Sequence, residues 1–278
     1  MEGKGQGNNK GRAKADIIVC VVNLLDYTKD AFASLYKNET IPFNLIVVDI
    51  CSTDGTQQWL KEFAETHDNV KIHLKTEKDK GFAEGFNTGL KYCETPYVAS
   101  YHSDMLVKSS GWLKHILPIF EKKQQVAYIG SKLLYLNDTI QHGGCSFHPD
   151  LLYWYHIGRN KNGLYFSQTR ELPGVTGAGS VTRKEAIPDG LPTFYERAEY
   201  SDVELSCQLR SDGWKIFYCG KAVLYHAESL SKKNWDWNAL QERYSNHFRT
   251  FKQRWEMWLR EDIETHPELY YELESNFR

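Results

Sequence analysis

Tyr97-Val98-Ala99-Ser100-Tyr101-His102-Ser103-Asp104 is a short, mostly apolar run that stops at a carboxylate. Tyr and Val favour strands, and a brief apolar run suits a buried parallel strand. Ligands of open α/β sheets bind in the crevice beyond the carboxyl ends of the strands. Asp104 falls at such an end. Two roles fit it from this stretch alone: a metal ligand facing a diphosphate, or a cap for a helix beginning near Gly111.

Working outward, the pattern recurs upstream. Ile17-Ile18-Val19-Cys20-Val21-Val22 is a continuous apolar run ending at Asn23, as in a central parallel strand. Asn44-Leu45-Ile46-Val47-Val48-Asp49 gives a second strand, and residues 70–74 a third. Helices are predicted between them. One spans 28–37, with Phe32, Leu35 and Tyr36 on one side. The next carries Trp59, Leu60 and Phe63. The third spans 81–92, with Phe82, Phe86 and Leu90 at i, i+4 and i+8. Strands alternating with helices, without hairpins, form a βαβ series. That implies a parallel sheet with right-handed crossovers, and a nucleotide-binding half over 16–104.

Downstream, a helix over 111–122 (Trp112, Ile116, Phe120) precedes a strand over 126–135. Residues 145–173 are aromatic and irregular, as expected of an acceptor-facing region. Pro173-Gly174-Val175-Thr176-Gly177-Ala178-Gly179-Ser180 is glycine-rich, as where backbone must approach a ligand. An acidic segment over 196–204 leads into a helix ending near Asp212-Gly213. Residues 215–219 and 222–226 read as the last two strands, so 105–230 forms an acceptor-binding half.

The C-terminal stretch, 231–278, is a predicted helical extension. Tyr244, Phe248, Phe251, Trp255 and Trp258 fall at steps of 4, 3, 4 and 3. This stripe is expected to pack on the domain; a homodimer seam and a membrane-surface face are the alternatives. Residues 1–15 form a basic polar tail (Lys4, Lys10, Arg12, Lys14), expected to be disordered.

The 278 residues carry a formal net charge of -2, which excludes a general nucleic-acid binder. No apolar run is long enough to cross a bilayer, and the first residues lack a signal-peptide pattern. The six cysteines include no CxxC pair, so free thiols in a reducing, cytoplasmic compartment are expected. Peripheral contact at the inner membrane face remains compatible with this. His142, His148 and His156 match no compact zinc spacing and read as loop or acceptor-site residues.

Several motifs occur in order. They are Val21-Val22-Asn23-Leu24-Leu25-Asp26-Tyr27-Thr28-Lys29, Ile46-Val47-Val48-Asp49-Ile50-Cys51-Ser52-Thr53-Asp54-Gly55-Thr56 and Lys80-Gly81-Phe82-Ala83-Glu84-Gly85-Phe86-Asn87-Thr88-Gly89. His102-Ser103-Asp104 with Gly111-Trp112-Leu113 follows, then Thr176-Gly177-Ala178-Gly179, Ser201-Asp202-Val203-Glu204-Leu205 and Tyr225-His226. In this order they resemble glycosyltransferase family 2, over about residues 17–229. The run is most similar to members that build bacterial surface polysaccharides, rhamnosyltransferases among them. The resemblance implies a GT-A fold: α/β, with a mixed, mainly parallel central sheet flanked by helices. Two departures stand out. Ile50 replaces the second of two adjacent acids in one motif, and His102 stands where the metal motif often has its first acid.

The implied chemistry moves a sugar from a nucleotide-diphosphate donor (UDP-, dTDP- or GDP-sugar) to a hydroxyl of a glycan or lipid-linked acceptor. Mn²⁺ or Mg²⁺ offsets the charge of the departing diphosphate. Asp104 is the first expected ligand. His226 by itself reads as a strand-end histidine; the resemblance places a metal ligand there. Asp202, at a helix start, is the expected general base. One base and no second carboxylate nucleophile implies direct displacement with inversion, as does the family. Asn23, Asp49, Lys80, Asn87, Ser103 and Gly177 are the expected nucleotide-sugar contacts, with Asp49 taking a base N–H or ribose hydroxyl. A sugar-nucleotide pyrophosphorylase would carry a basic, glycine-rich loop after the first strand; Val22-Asn23-Leu24-Leu25 has neither. The non-enzymatic alternative is a catalytically degenerate glycan- or partner-binding member, suggested by the missing first acid.

Overall fold

The structure is a computed structural model that describes residues 11–77, 81–108, 111–195, 200–227 and 236–271. Strand β1 (Ala15–Val21) alternates its side chains between two buried faces, Ile17, Val19 and Val21 to one and Ile18 to the other. β2 (Phe43–Asp49) does the same with Leu45 and Val47 against Ile46. Both faces are buried because both carry helices. β1 lies between β2 and β4 (Tyr97–Ser100), and β3 (Val70–Leu74) flanks β2, all parallel.

Helices α1 (Leu25–Asn38), α2 (Thr56–Glu65) and α4 (Leu113–Lys122) cover one face through Phe32, Leu35, Leu60, Trp112, Ile116 and Phe120. α3 (Phe82–Leu90) and α5 (Ser201–Ser211) cover the other through Phe86, Leu205 and Leu209.

Antiparallel pairing enters with β11 (Val181–Arg183), which lies between β4 and β6 (Val126–Leu134). β12 (Lys215–His226) runs parallel to β6 and carries β10 (Thr169–Glu171) on its far edge. β5 (Met105–Val107) pairs with β12, and β7 (Ile140–His142) with β6. β8 (Cys145–Phe147) and β9 (Trp154–His156) form a separate hairpin. The result is the expected mixed sheet, parallel through β3-β2-β1-β4, with helices on both faces.

Four local expectations are corrected. The strand read over 97–104 ends at Ser100, and the chain resumes pairing only at Met105. His102-Ser103-Asp104 is therefore the turn between two strands. The two strands read at 215–219 and 222–226 are one strand, with a register irregularity between Cys219 and Val223. Gly220 lies in that irregularity, where a Cβ would sit 2.2 Å from the Phe166 carbonyl oxygen. The irregular 145–173 region contains β8, β9 and β10. Ala15, assigned to the tail, begins β1 and is buried.

Helix α6 (Trp237–Thr265) is started by Asp236, whose Oδ1 accepts from the Asn238 N–H (2.9 Å). Its Phe251, Leu259 and Ile263 are buried with Val203 and Cys207 of α5 and Phe147 of β8; Phe248, Trp255 and Trp258 pack at the margin. The aromatic stripe is thus an intramolecular face, except for Tyr244, which is 40% exposed. Among the described residues no helix is long and apolar enough to cross a membrane.

Candidate active site

Capping chemistry decides between the two roles open to Asp104. The N–H groups that open α4 belong to Trp112 and Leu113. Both donate to Glu39 Oε2 (2.9 and 3.1 Å), while Glu39 Oε1 takes the N–H groups of Thr40 and Ile41. The helix is therefore capped from the end of α1, and Asp104 turns elsewhere.

It turns to His226. Antiparallel pairing sets Met105 opposite His226, which brings Asp104 Oδ1 within 3.3 Å of His226 Nε2. His226 Nδ1 lies 2.7 Å from Gln141 Oε1. The Gln141 amide nitrogen is used on the His226 carbonyl (3.4 Å), so Oε1 is the acceptor and Nδ1 carries the proton. With Nδ1 turned to Gln141, Nε2 is the ring nitrogen that faces the Asp104 carboxylate. A proton on Nε2, or a cation between the two atoms, would join them.

His102 completes the group. Each of His102, Asp104 and His226 offers a ligand atom within 4.8 Å of the others. The His102 ring lies 5.3 Å from that of His226 and against Phe82, and its Nε2 is buried without a partner. Burial and the neighbouring His226 lower the His102 pKa to about 4, against the pull of Asp104, so the ring is neutral at pH 7. For Asp104, burial works upward, but the hydrogen bond from His226 and the charges of both histidines prevail and hold it low. A neutral imidazole beside an ionised carboxylate is the pairing that binds a divalent metal. Imidazole suits Mn²⁺ better than Mg²⁺, which prefers oxygen. The sequence reading missed His102 and Gln141; the spacing of His102, two residues before Asp104 across a turn, was the available signal.

Asp202 opens α5, half-buried. Its Oδ2 accepts from the Thr176 hydroxyl (3.0 Å) and the Gly177 N–H (3.2 Å), and its Oδ1 lies 3.0 Å from the Val203 N–H. The loop that supplies these donors also packs against Leu224 and Met105, chain neighbours of His226 and Asp104. Gly179 has φ +65, and a Cβ there would fall 2.6 Å from Leu224 Cδ1 and 3.1 Å from Met105 Cε. Glycine is required at 179. At Gly177 a Cβ would meet only ordinary contacts, 3.8 Å and beyond, so its contribution is the N–H to Asp202 rather than close approach. Tyr128 was not foreseen. Its buried hydroxyl bonds Ser180 of the same loop, and burial followed by the charge of Asp202 raises its pKa.

Asp49 is fully buried at the end of β2. Its Oδ1 accepts from the Ser52 N–H (3.1 Å) and Gln57 Nε2 (2.6 Å), while Oδ2 is buried without a partner. Asn23 stands beside it at the end of β1, its Oδ1 accepting from the Thr53 N–H (2.8 Å). Ser103 lies in the turn between His102 and Asp104. Asp54 caps twice, toward Thr56 of α2 and the Leu25 N–H of α1. The Asn87 amide is engaged by backbone: it donates to the Leu191 carbonyl (2.8 Å) and accepts from the Leu191 N–H (2.7 Å), and so fastens a turn. Lys80 lies outside the described residues. The histidine reading is also corrected: His142 and His156 meet, together with Cys145, whereas His148 stacks on Tyr153. A cavity of about 670 Å³ opens at the opposite end of the strands, by Lys14, Thr95 and Tyr97, and includes none of the side chains described above.

The sequence profile of glycosyl transferase family 2 matches residues 16–191. The chain belongs to glycosyl transferase family 2. Among curated relatives of this family 2 chain, the O-antigen biosynthesis protein RfbC of Myxococcus xanthus is 25% identical over 242 residues, covering 81% of this chain and 18% of that protein. The putative teichuronic acid biosynthesis glycosyltransferase TuaG of Bacillus subtilis is 26% identical over 123 residues, covering 44% of this chain and 48% of that one. The chain thus spans less than half the length of the curated relatives it matches. The mannosyltransferase PcManGT of Pyrobaculum calidifontis, solved with GDP-Man and Mn²⁺, superposes with a TM-score of 0.60 at 19% identity, covering 86% of this chain and 63% of that one. This likeness establishes the GT-A fold.

Proposed function

We propose that this family 2 member is an inverting glycosyltransferase. It moves a sugar from a UDP-, dTDP- or GDP-linked donor to a hydroxyl of a glycan or lipid-linked acceptor. The observation that carries the reading is the meeting of His102, Asp104 and His226 at the carboxyl end of the sheet, with His226 Nε2 3.3 Å from Asp104 Oδ1. Those three residues would hold Mn²⁺, which supplies Lewis-acid stabilisation of the departing diphosphate when bound. The GDP-Man and Mn²⁺ bound by PcManGT and the names of RfbC and TuaG support the donor class and a glycan acceptor.

The chain's own residues do the rest. Asp202 accepts the acceptor hydroxyl proton as that oxygen bonds to the anomeric carbon and the bond from that carbon to phosphate oxygen breaks. One displacement inverts the configuration. Thr176 and Gly177 fix the orientation of Asp202 through its Oδ2. The partnerless Asp49 Oδ2 offers an acceptor for a base N–H or ribose hydroxyl, with Asn23 and Ser103 alongside.

A thermal-shift panel of UDP-, dTDP- and GDP-sugars with and without Mn²⁺ tests the donor. One nucleotide should raise Tm in a metal-dependent way. Asp202→Asn should keep that shift while transfer falls by about 10²–10⁴-fold, and product NMR should show the inverted anomer. Transfer at the wild-type rate by Asp202→Asn removes it as the base. No shift with any donor and Mn²⁺ leaves the binding-only reading.

A further inference from the structure

Cys145 and His156 are directly opposed in the β8–β9 ladder. His142, three residues before Cys145, reaches the same point from the end of β7. His142 Nδ1 lies 3.1 Å from His156 Nδ1 and 3.5 Å from Cys145 Sγ. Each of the three offers a ligand atom within 4.8 Å of the other two. Ligands of one tetrahedral zinc, at about 2.0–2.1 Å for nitrogen and about 2.3 Å for sulfur, stand about 3.3 Å (N to N) and about 3.6 Å (N to S) apart. The observed separations match those values before any ion is introduced.

We infer that His142, Cys145 and His156 form a second metal site, built for a thiophilic divalent ion of the zinc class. It is distinct in chemistry from the His102–Asp104–His226 group. Two imidazoles and a thiolate select Zn²⁺ over Mg²⁺ or Mn²⁺; two imidazoles and a carboxylate do not make that selection. On binding, Cys145 gives its thiol proton to solvent and the sulfur takes the metal. His142 and Cys145 are buried and His156 is half-buried, so the ion enters from the His156 side and keeps a fourth position open to water.

The site has a structural consequence for the reaction. The Cys145 N–H donates to the Gly174 carbonyl (2.9 Å). Gly174 is followed by Val175 and then by Thr176 and Gly177, which hold Asp202. A metal here braces the corner behind the base-bearing loop. Asp202 is also near enough for its charge to act on the Cys145 thiol. The single positive charge of a zinc–thiolate group therefore lies where a carboxylate offsets it.

Co²⁺ separates the two sites, because only cysteine ligation produces a thiolate-to-cobalt charge-transfer band in the near ultraviolet. The full chain, reduced and stripped with a chelator, is titrated with Co²⁺. The expected result is a band that saturates at one equivalent, persists in Asp104→Asn and vanishes in Cys145→Ser. Zn²⁺ affinity should fall by more than about 100-fold in Cys145→Ser, beyond the 10–100-fold typical of outer-shell changes. His156→Gln, at the half-buried ligand, serves where Cys145→Ser does not fold; its band should be lost or strongly weakened with unchanged far-ultraviolet circular dichroism. No band in the wild type, or a band that survives Cys145→Ser or His156→Gln unaltered, overturns the site. Neither outcome bears on the donor panel above.

Discussion

His102 shows how little of a site one residue declares in sequence. Nothing local distinguishes it from a turn histidine. Its meaning comes from His226, which reaches it because β5 pairs with the end of β12, setting Met105 opposite His226, 121 positions away. His226 ends a strand and Asp202 opens a helix, as read from the sequence, whereas Asp104 was read at a strand end and lies in the turn before β5. The partner of Asn87 was not legible, because a helix position within a family motif does not say which backbone its amide will meet. The neutral His102 ring carries a pH consequence. Its folded pKa of about 4 lies below its ordinary 6.5, so between those values the unfolded chain binds the proton and the folded chain does not. Stability is therefore lost as pH falls through that window, by on the order of 2 kcal/mol from this ring. Asp104, held low, stays ionised throughout. Urea midpoints from pH 7 to pH 4.5 should fall more steeply for the wild type than for His102→Gln. Parallel curves would show that His102 is not held neutral by the fold.

Elements built from local patterns were read well, and those depending on distant partners were not. The βαβ run through β4 follows from alternation, helical spacing and capping residues. β12 was divided in two because Gly220 marks an irregularity that only the neighbouring Phe166 backbone explains. The β8–β9 hairpin was missed because its aromatic residues carry no period. The joint between α5 and α6 was equally hidden. Glu204, two residues after the base, is buried and accepts from the Tyr195 hydroxyl (2.9 Å) and from Arg254 of α6 (2.8 Å). The pair is asymmetric: the Arg254 side chain is 49% exposed and that of Glu204 2%. Arg254→Met strands a buried carboxylate with one neutral donor and should cost about 3 kcal/mol. Glu204→Gln keeps an acceptor for Tyr195 and leaves an arginine that water can solvate, costing about 1 kcal/mol. Urea unfolding of both variants checks the order. Equal or reversed costs would mean that the interaction lies in solvent.

Across the whole molecule, α6 determines whether the C-terminal segment is an appendage or part of the catalytic body. Composition and the aromatic stripe marked it as a helix with one apolar face, but no sequence pattern names the surface such a face covers. In the structure that surface is α5, the helix that carries Asp202 in its first turn. α5 turns Leu205 and Leu209 to the sheet and Val203 and Cys207 to Phe251, Leu259 and Ile263 of α6. Arg210 grips Asp262 through two hydrogen bonds (3.0 and 2.9 Å), and the Tyr270 hydroxyl closes on the same carboxylate. A helix held between two layers cannot open while either stays in place, so α5 and α6 should behave as one cooperative unit. Amide hydrogen exchange at increasing denaturant tests this directly. The amides of residues 203–209 and 251–263 should converge on one opening free energy, and α6 should show no earlier isotherm of its own. An α6 that exchanges well before α5 would make it a separable extension, and Asp202 would then owe its placement to Thr176 and Gly177 alone. A single isotherm means that removing α6 also unsettles the helix that carries Asp202, because the apolar face that fixes α5 would be left to water.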